Sequence, residues 1–224
     1  MINQKANRAK AQYLRTHTLP CMLKTKKAFT LAEVLIALVI IGVVAALAIP
    51  NLIAFYQEQM QITAWKKAYS NISSSANMLL KDSGGSFIGA FNGFDSMKDA
   101  FKSYFIYIKD CPMNTNIGNC WPLNQHAYNY TLVSNGWDLP GIILNDGTLL
   151  KFWFGYHSST CTDGTYYPSG ECGIILVDIN GFAKPNSFGR DMYVVHILKD
   201  HIEPANSTNA LVSGGERSSM NLLK

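Results

Sequence analysis

Charge is scarce in one place above all. Residues 29–49 hold a single ionisable side chain, Glu33, in a run of 21 residues. At about 1.5 Å rise per helical residue such a run reaches roughly 30 Å, the thickness of a bilayer's hydrocarbon core. Acid is missing from residues 1–28, which carry seven Lys or Arg. The rest of the chain then holds 12 basic against 15 acidic residues, a balance of −3, so the formal +4 of the whole belongs to the amino-terminal stretch. A general nucleic-acid-binding surface loses its main support by this arithmetic. The same stretch lacks an apolar run of its own, which excludes an ordinary secretory signal. Cys21 follows Leu19-Pro20 without the apolar segment that a lipid-attachment cysteine requires. Catalytic signatures are absent too: there is no His-Glu-x-x-His, no Gly-x-Ser-x-Gly, and no phosphate-cradling glycine loop ending in Lys-Ser/Thr. His126, His157, His196 and His201 are scattered, and His196, inside a β-type run, reads as a packed or surface residue rather than a ligand. Trp121, Trp137, Trp153, Tyr166 and Tyr167 read as core and loop aromatics, with a sugar- or base-stacking platform as the other possibility.

What is present starts with Lys24, Lys26 and Lys27 just before the apolar run, which sets the amino-terminal side as cytoplasmic. Glu33 lies one turn inside. An unpaired carboxylate there costs a few kcal/mol or more, so it needs a partner or a job, unless it snorkels to the headgroups. The segment Lys-Lys-Ala-Phe-Thr-Leu-Ala-Glu-Val-Leu-Ile-Ala-Leu-Val-Ile-Ile-Gly resembles the amino-terminal signature of type IV prepilins and type II secretion pseudopilins. The resemblance implies a prepilin-peptidase cut between Ala28 and Phe29 and methylation of the new Phe29 amine. It makes Glu33 the assembly residue, five places into the mature chain. The family usually carries Gly where this chain has Ala28, a residue still small enough for a tight subsite. Gly42 and Pro50 match the family's helix-weakening positions. A start at Met22 would give a short leader closer to the usual form.

Beyond Pro50, the residues Ile53, Tyr56, Met60, Ala64, Ala68, Ile72, Ala76 and Leu79 recur every three or four positions, the mark of an amphipathic helix. Gly84-Gly85 stops it. A second helix is expected over 96–109, capped by Asp95 or Ser96, with Met97, Phe101, Phe105 and Ile108 on its buried side. β-type runs follow at 128–133, 141–144, 148–154, 173–179 and 192–198, and Asn145-Asp146-Gly147 has the composition of a tight hairpin turn. Helix first and strands after implies an α+β fold, in which the long helix packs by its amphipathic half on a small antiparallel sheet. The expected layout is a leader over 1–28, a membrane or filament-core helix over 29–49, its amphipathic continuation over 50–83, a globular domain over 84–205 and a loose tail over 206–224.

Removing the leader leaves Cys111, Cys120, Cys161 and Cys172 on the translocated, oxidising side. Four cysteines allow three connectivities, and proximity favours Cys111–Cys120 with Cys161–Cys172. The rival is metal ligation, but zinc ribbons space their pairs two to four residues apart and these gaps hold eight and ten. In the stretch 173–191, Asp178, Asn180 and Asp191 bear oxygens for a hard cation such as calcium, without the spacing of an EF-hand. The alternative is that Asp178 and Asn180 bond their own backbone and shape the turn. This Asp-x-Asn-Gly…Pro-Asn…Gly-x-Asp stretch is also similar to one in the C-terminal sheets of many pilin-like proteins, some of which bind calcium.

Two functional classes are consistent with these residues. The first is a non-enzymatic filament subunit, lodged single-pass in the inner membrane with its C-terminal domain outside the cytoplasm, then extracted into a filament in the periplasm or at the cell surface. Its partners would be copies of itself, other pilin-like subunits, the prepilin peptidase, a membrane assembly platform and the lipid bilayer. The second is a single-pass anchor presenting a binding or enzymatic domain that never polymerises.

Overall fold

The computed structural model describes residues 28–114, 117–123, 138–154, 160–161, 170–205 and 219–223. It comprises two compact units, one ending at Pro50 and the other beginning at Asn51. Helix α1 (Leu31–Asp82) runs through both with Pro50 inside it, and it is assigned without interruption across Gly42 and Pro50. Its C-terminus closes as a Schellman turn: Gly85 N–H donates to Leu80 O (2.8 Å) and Gly84 N–H to Lys81 O (3.2 Å). Both glycines sit at positive φ (77° and 87°), which is why two glycines in a row end the helix here.

Within the second unit, α1 buries Trp65, Ala68, Ile72, Ser75, Ala76 and Leu79. The expected stripe is thus seated from Ala68 onward, whereas Ile53, Tyr56 and Met60 stay more than half exposed. Trp65 is the member that apolar periodicity missed. It is fully buried, its ring stacks on Tyr193 at 4.4 Å, and its indole N–H donates to Ser219 O (2.9 Å).

The second helix, α2 (Phe94–Lys102), is shorter than the expected 96–109. Met97 and Phe101 are fully buried as the periodicity implies. Its N-cap is Gly93, which makes no side-chain cap bond, so neither Asp95 nor Ser96 serves as cap. Ile108 is not on a helix at all but in strand β1 (Tyr107–Cys111), and it is exposed. Pairing with β2 and the bonds from Lys98 and Lys102 to Asp110 (2.6 and 2.7 Å) hold this segment extended, overriding its helix-compatible spacing.

Strands β2 (Gly141–Leu144), β3 (Leu149–Trp153), β4 (Glu171–Asp178), β5 (Met192–Leu198) and β6 (Ile202–Pro204) complete a six-stranded antiparallel sheet in the order of the sequence. The β2–β3 turn is closed by Gly147 N–H to Leu144 O (3.0 Å), with Gly147 at φ 88° and Asp146 Oδ1 accepting the Thr148 N–H. The expected strand at 128–133 lies outside the described residues. So does most of the tail, but residues 219–223 of it are packed rather than loose. Ser219 is fully buried, its Oγ accepts the Val194 N–H (3.1 Å), and Met220 N–H donates to Ala205 O.

Alternation along each strand builds two cores. Leu150, Phe152, Ile175, Val177, Tyr193, Val195 and Ile197 face α1 and α2, together with Phe87 and Phe91. Ile174, Leu176, Met192 and Val194 form a smaller cluster with Leu139, Phe188 and Ala205. A third patch gathers Trp121 and Leu149 around the Cys111–Cys120 pair.

Candidate functional site

The amino-terminal end of α1 is built by its own side chains. Thr30 precedes the first helical residue, and its hydroxyl accepts the Glu33 N–H (3.2 Å). Glu33 Oε2 accepts in return from the Thr30 N–H (2.8 Å) and hydroxyl (2.9 Å). This reciprocal arrangement is a capping box, which satisfies two of the helix's orphan donors and sets an acid against the positive end of the dipole. The Thr-x-x-Glu spacing that signals it was present in the sequence beside the apolar run. Glu33 therefore has a local task besides any intermolecular one. Its second oxygen, Oε1, makes no hydrogen bond among the described residues.

From this cap onward, α1 presents an unbroken apolar surface. Phe29 is 85% exposed, and Leu31, Ile36, Val39, Ile41, Leu47 and Leu52 each exceed half exposure. The helix is long and apolar enough over this stretch to cross a membrane, and none of the most apolar window is buried by the chain itself. Gly42 lies within that surface with nothing near the place a Cβ would take.

Residues 23–49 match a model of the prokaryotic N-terminal methylation motif. This chain carries the prepilin-type cleavage and methylation signature. The matched residues include Ala28, Phe29, Glu33 and Gly42, and from Ala28 their structure is the capped, exposed start of α1. No curated protein and no solved structure matches the chain. A methylation motif on an exposed apolar helix fits a pilin-like subunit anchored at a membrane.

The remaining candidates lie in the second unit. Cys111–Cys120 and Cys161–Cys172 are each joined by a disulfide, the connectivity that proximity favoured. In the β4–β5 connection, Asp191 accepts the N–H groups of Asn186 (2.8 Å) and Ser187 (2.6 Å), and Asp178 Oδ1 accepts that of Asn180 (3.2 Å). These bonds are turn closure by Asx side chains. Burial pushes the Asp191 carboxyl above its ordinary value, against those backbone N–H groups; burial and the charge of Asp191 raise Asp178 further. Among the described residues, Asp178 Oδ2 and Asn180 Oδ1 are buried without a hydrogen-bond partner, and there is no group of three or more His, Cys, Asp or Glu suited to a metal.

His196 is buried in β5 with its Nδ1 2.5 Å from Glu171 Oε2, a packed and hydrogen-bonded pair. His201 is exposed beside Asp200 (2.6 Å). Trp121 is fully buried against Gly141, where a Cβ would sit 2.6 Å from the indole ring, and Trp153 is half-buried at the second core. His126, His157, Trp137, Tyr166 and Tyr167 lie outside the described residues.

Proposed function

We propose that this chain is a non-catalytic subunit of a pilin-like filament, inserted in the cytoplasmic membrane and polymerised through the first half of α1 after a prepilin peptidase cuts between Ala28 and Phe29. The single observation that carries the reading is the methylation motif set on a helix whose apolar surface the chain leaves uncovered from Phe29 to Met60. An apolar surface of this length needs lipid or copies of itself. Copies bundled at a filament axis supply the same burial as lipid, so extraction from the membrane exchanges one apolar setting for another.

Cleavage creates an ammonium on Phe29, which methylation keeps basic. Glu33 Oε1 is the acceptor left for the Phe29 ammonium of an adjacent subunit, because Oε2 is committed to the cap. A charge-assisted pair in apolar surroundings is stronger than one in water and leaves neither group buried alone. Weak helix around Gly42 and Pro50 lets subunits stretch on extraction.

The decisive experiment is the mass of the mature amino terminus. A chain beginning with methylated Phe29 supports the filament subunit. An intact leader on a membrane-held, unpolymerised protein supports the plain anchor and ends this reading. Ala28→Arg is expected to leave a longer, membrane-retained precursor on a gel, and a mature-size band from that variant would contradict the cut.

A further inference from the structure

The β4–β5 connection does more than reverse the chain. Its base is fixed: Asn186, Ser187, Phe188 and Asp191 are buried, and Gly189 N–H donates to Met192 O (2.8 Å). Its rim stays outside, with Lys184 exposed and Phe182 49% exposed. Between that rim and α1 lies an open groove of about 610 Å³, wholly within the second unit. Gln57, Glu58 and Gln61 line it from the helix, and Asn180, Lys184 and Arg190 line it from the connection. The bonds that hold the base of the loop make this groove a preformed one.

Two cations against one acid leave the lining positive. Lys184 makes no ion pair among the described residues, so its ammonium is available as a point charge. Arg190 adds a guanidinium, whose planar fork of donors matches a phosphate group. The amides of Gln57 and Gln61 both donate and accept hydrogen bonds, and the Glu58 carboxylate accepts them. Such a lining suits a phosphate that carries hydroxyl groups, and it gives a quaternary ammonium nothing to bond.

The place of the groove along the chain narrows the source of that phosphate. Ala54, which also lines it, is five residues beyond Ile49, where the matched motif ends. Five residues of helix rise about 7.5 Å. A bilayer about 40–45 Å thick with a core of about 30 Å leaves roughly 5–8 Å of headgroup on each side. Phe55 and Tyr56 are 61% and 64% exposed at the same level of the chain, and aromatic side chains are enriched where a helix leaves a bilayer.

We propose that this groove holds the headgroup of an anionic glycerophospholipid of the phosphatidylglycerol class, in the leaflet from which α1 emerges. Lys184 and Arg190 take the phosphate, and Glu58 with the two glutamines takes the glycerol hydroxyls. The bound lipid steadies the second unit against the bilayer until the subunit is withdrawn. This inference rests on the membrane insertion proposed above and not on polymerisation.

The test uses the full chain reconstituted in bilayer nanodiscs with phosphatidylglycerol or phosphatidylcholine, each carrying the same photoreactive headgroup. After irradiation, the cross-linked peptides are mapped by mass. The expected adducts fall within residues 54–61 and 180–190 and are at least about tenfold more abundant with phosphatidylglycerol, since each surface cation contributes about fivefold. Lys184→Gln should cut that yield about fivefold, and adding Arg190→Gln should remove most of the remainder. Excess glycerol phosphate in the buffer should leave the yield unchanged; competition by it assigns the groove to a soluble phosphate and overturns the proposal. Equal yields from both lipids, or adducts confined to the basic stretch before Ala28, overturn it too. Both outcomes are read on wild-type chain, so poor folding of a variant does not rescue the idea. Alkaline extraction separates the two readings: a chain released from membranes ends the membrane assignment itself, whereas a retained chain without these adducts ends the headgroup site alone.

Discussion

Glu33 combines a cap and a charge in one carboxylate, and substitutions can separate the two. Gln at the same place keeps an acceptor for the Thr30 N–H and hydroxyl, so Glu33→Gln preserves the capping box while removing the charge. Membrane insertion is then expected to proceed normally and filament yield to fall by at least about tenfold, the equivalent of roughly 1.4 kcal/mol of lost pairing. Glu33→Ala or Glu33→Leu loses the cap as well, worth about 1 kcal/mol at the helix start, and should assemble no better than the Gln variant. Normal filament yield from Glu33→Gln would reduce this residue to a helix cap. Elsewhere in the chain, Asp110 offers a residue-scale test of pH. Burial opposes its ionisation, but hydrogen bonds from Lys102 and Lys98 outweigh that and hold the carboxyl below its ordinary value. The stability it supplies is therefore present above its unfolded pKa and is lost as pH falls through the lower folded one. Asp110→Asn should lower the melting temperature at neutral pH and flatten its dependence on pH in the acid range.

At the scale of the element, α1 uses two different kinds of apolar residue. Those from Ala68 onward are seated on the sheet, while Ile53, Tyr56 and Met60 continue the same periodicity into open solvent. Trp65→Ala removes a ring stacked on Tyr193 together with the donor to Ser219 O, and should cost about 3–5 kcal/mol, read as a large fall in melting temperature of detergent-purified chain. Met60→Ala should change that temperature little, within about 0.5 kcal/mol, because Met60 is more than half exposed and belongs to none of the buried clusters. If the filament reading holds, the same substitution lowers assembly instead. α2 teaches the complementary lesson. Met97, Phe101, Phe105 and Ile108 keep helical spacing, yet the helix stops at Lys102 and Ile108 lies on an edge strand. Periodicity states which residues can share a face; partners elsewhere in the chain decide whether they do.

Across the whole molecule, the two disulfides close short loops, nine and eleven residues apart, at the sheet's margin. Each restricts the unfolded chain by roughly 2–4 kcal/mol, so Cys111→Ser with Cys120→Ser should lower the denaturation midpoint without changing the fold, and reduction of the wild type should do the same. Much of the architecture was legible beforehand. Runs rich in Ile, Val and Leu marked β2 and β5 at their observed bounds, since such side chains fit a half-buried pleat and little else at that length. β1 was hidden because its flanking residues also satisfy a helix, and β6 because three residues ending in Pro204 give no periodic signal. The docking of Ser219 was hidden because a serine in a polar tail announces nothing until Trp65 is seen to need an acceptor.

The amino-acid sequence by itself determined the character of the amino-terminal segment: an apolar run, its basic flank, its single acid and its methylation motif are contiguous, so short-range chemistry states them fully. It determined the α+β order of elements for the same reason. Only the tertiary structure decided that Glu33 splits its two oxygens between cap and solvent, that β1 replaces the end of a helix, and that Gln57 and Gln61 share one groove with Lys184 and Arg190. These outcomes depend on strand register, side-chain direction and burial, and each joins parts of the chain, or atoms of one side chain, whose separation only the folded backbone fixes.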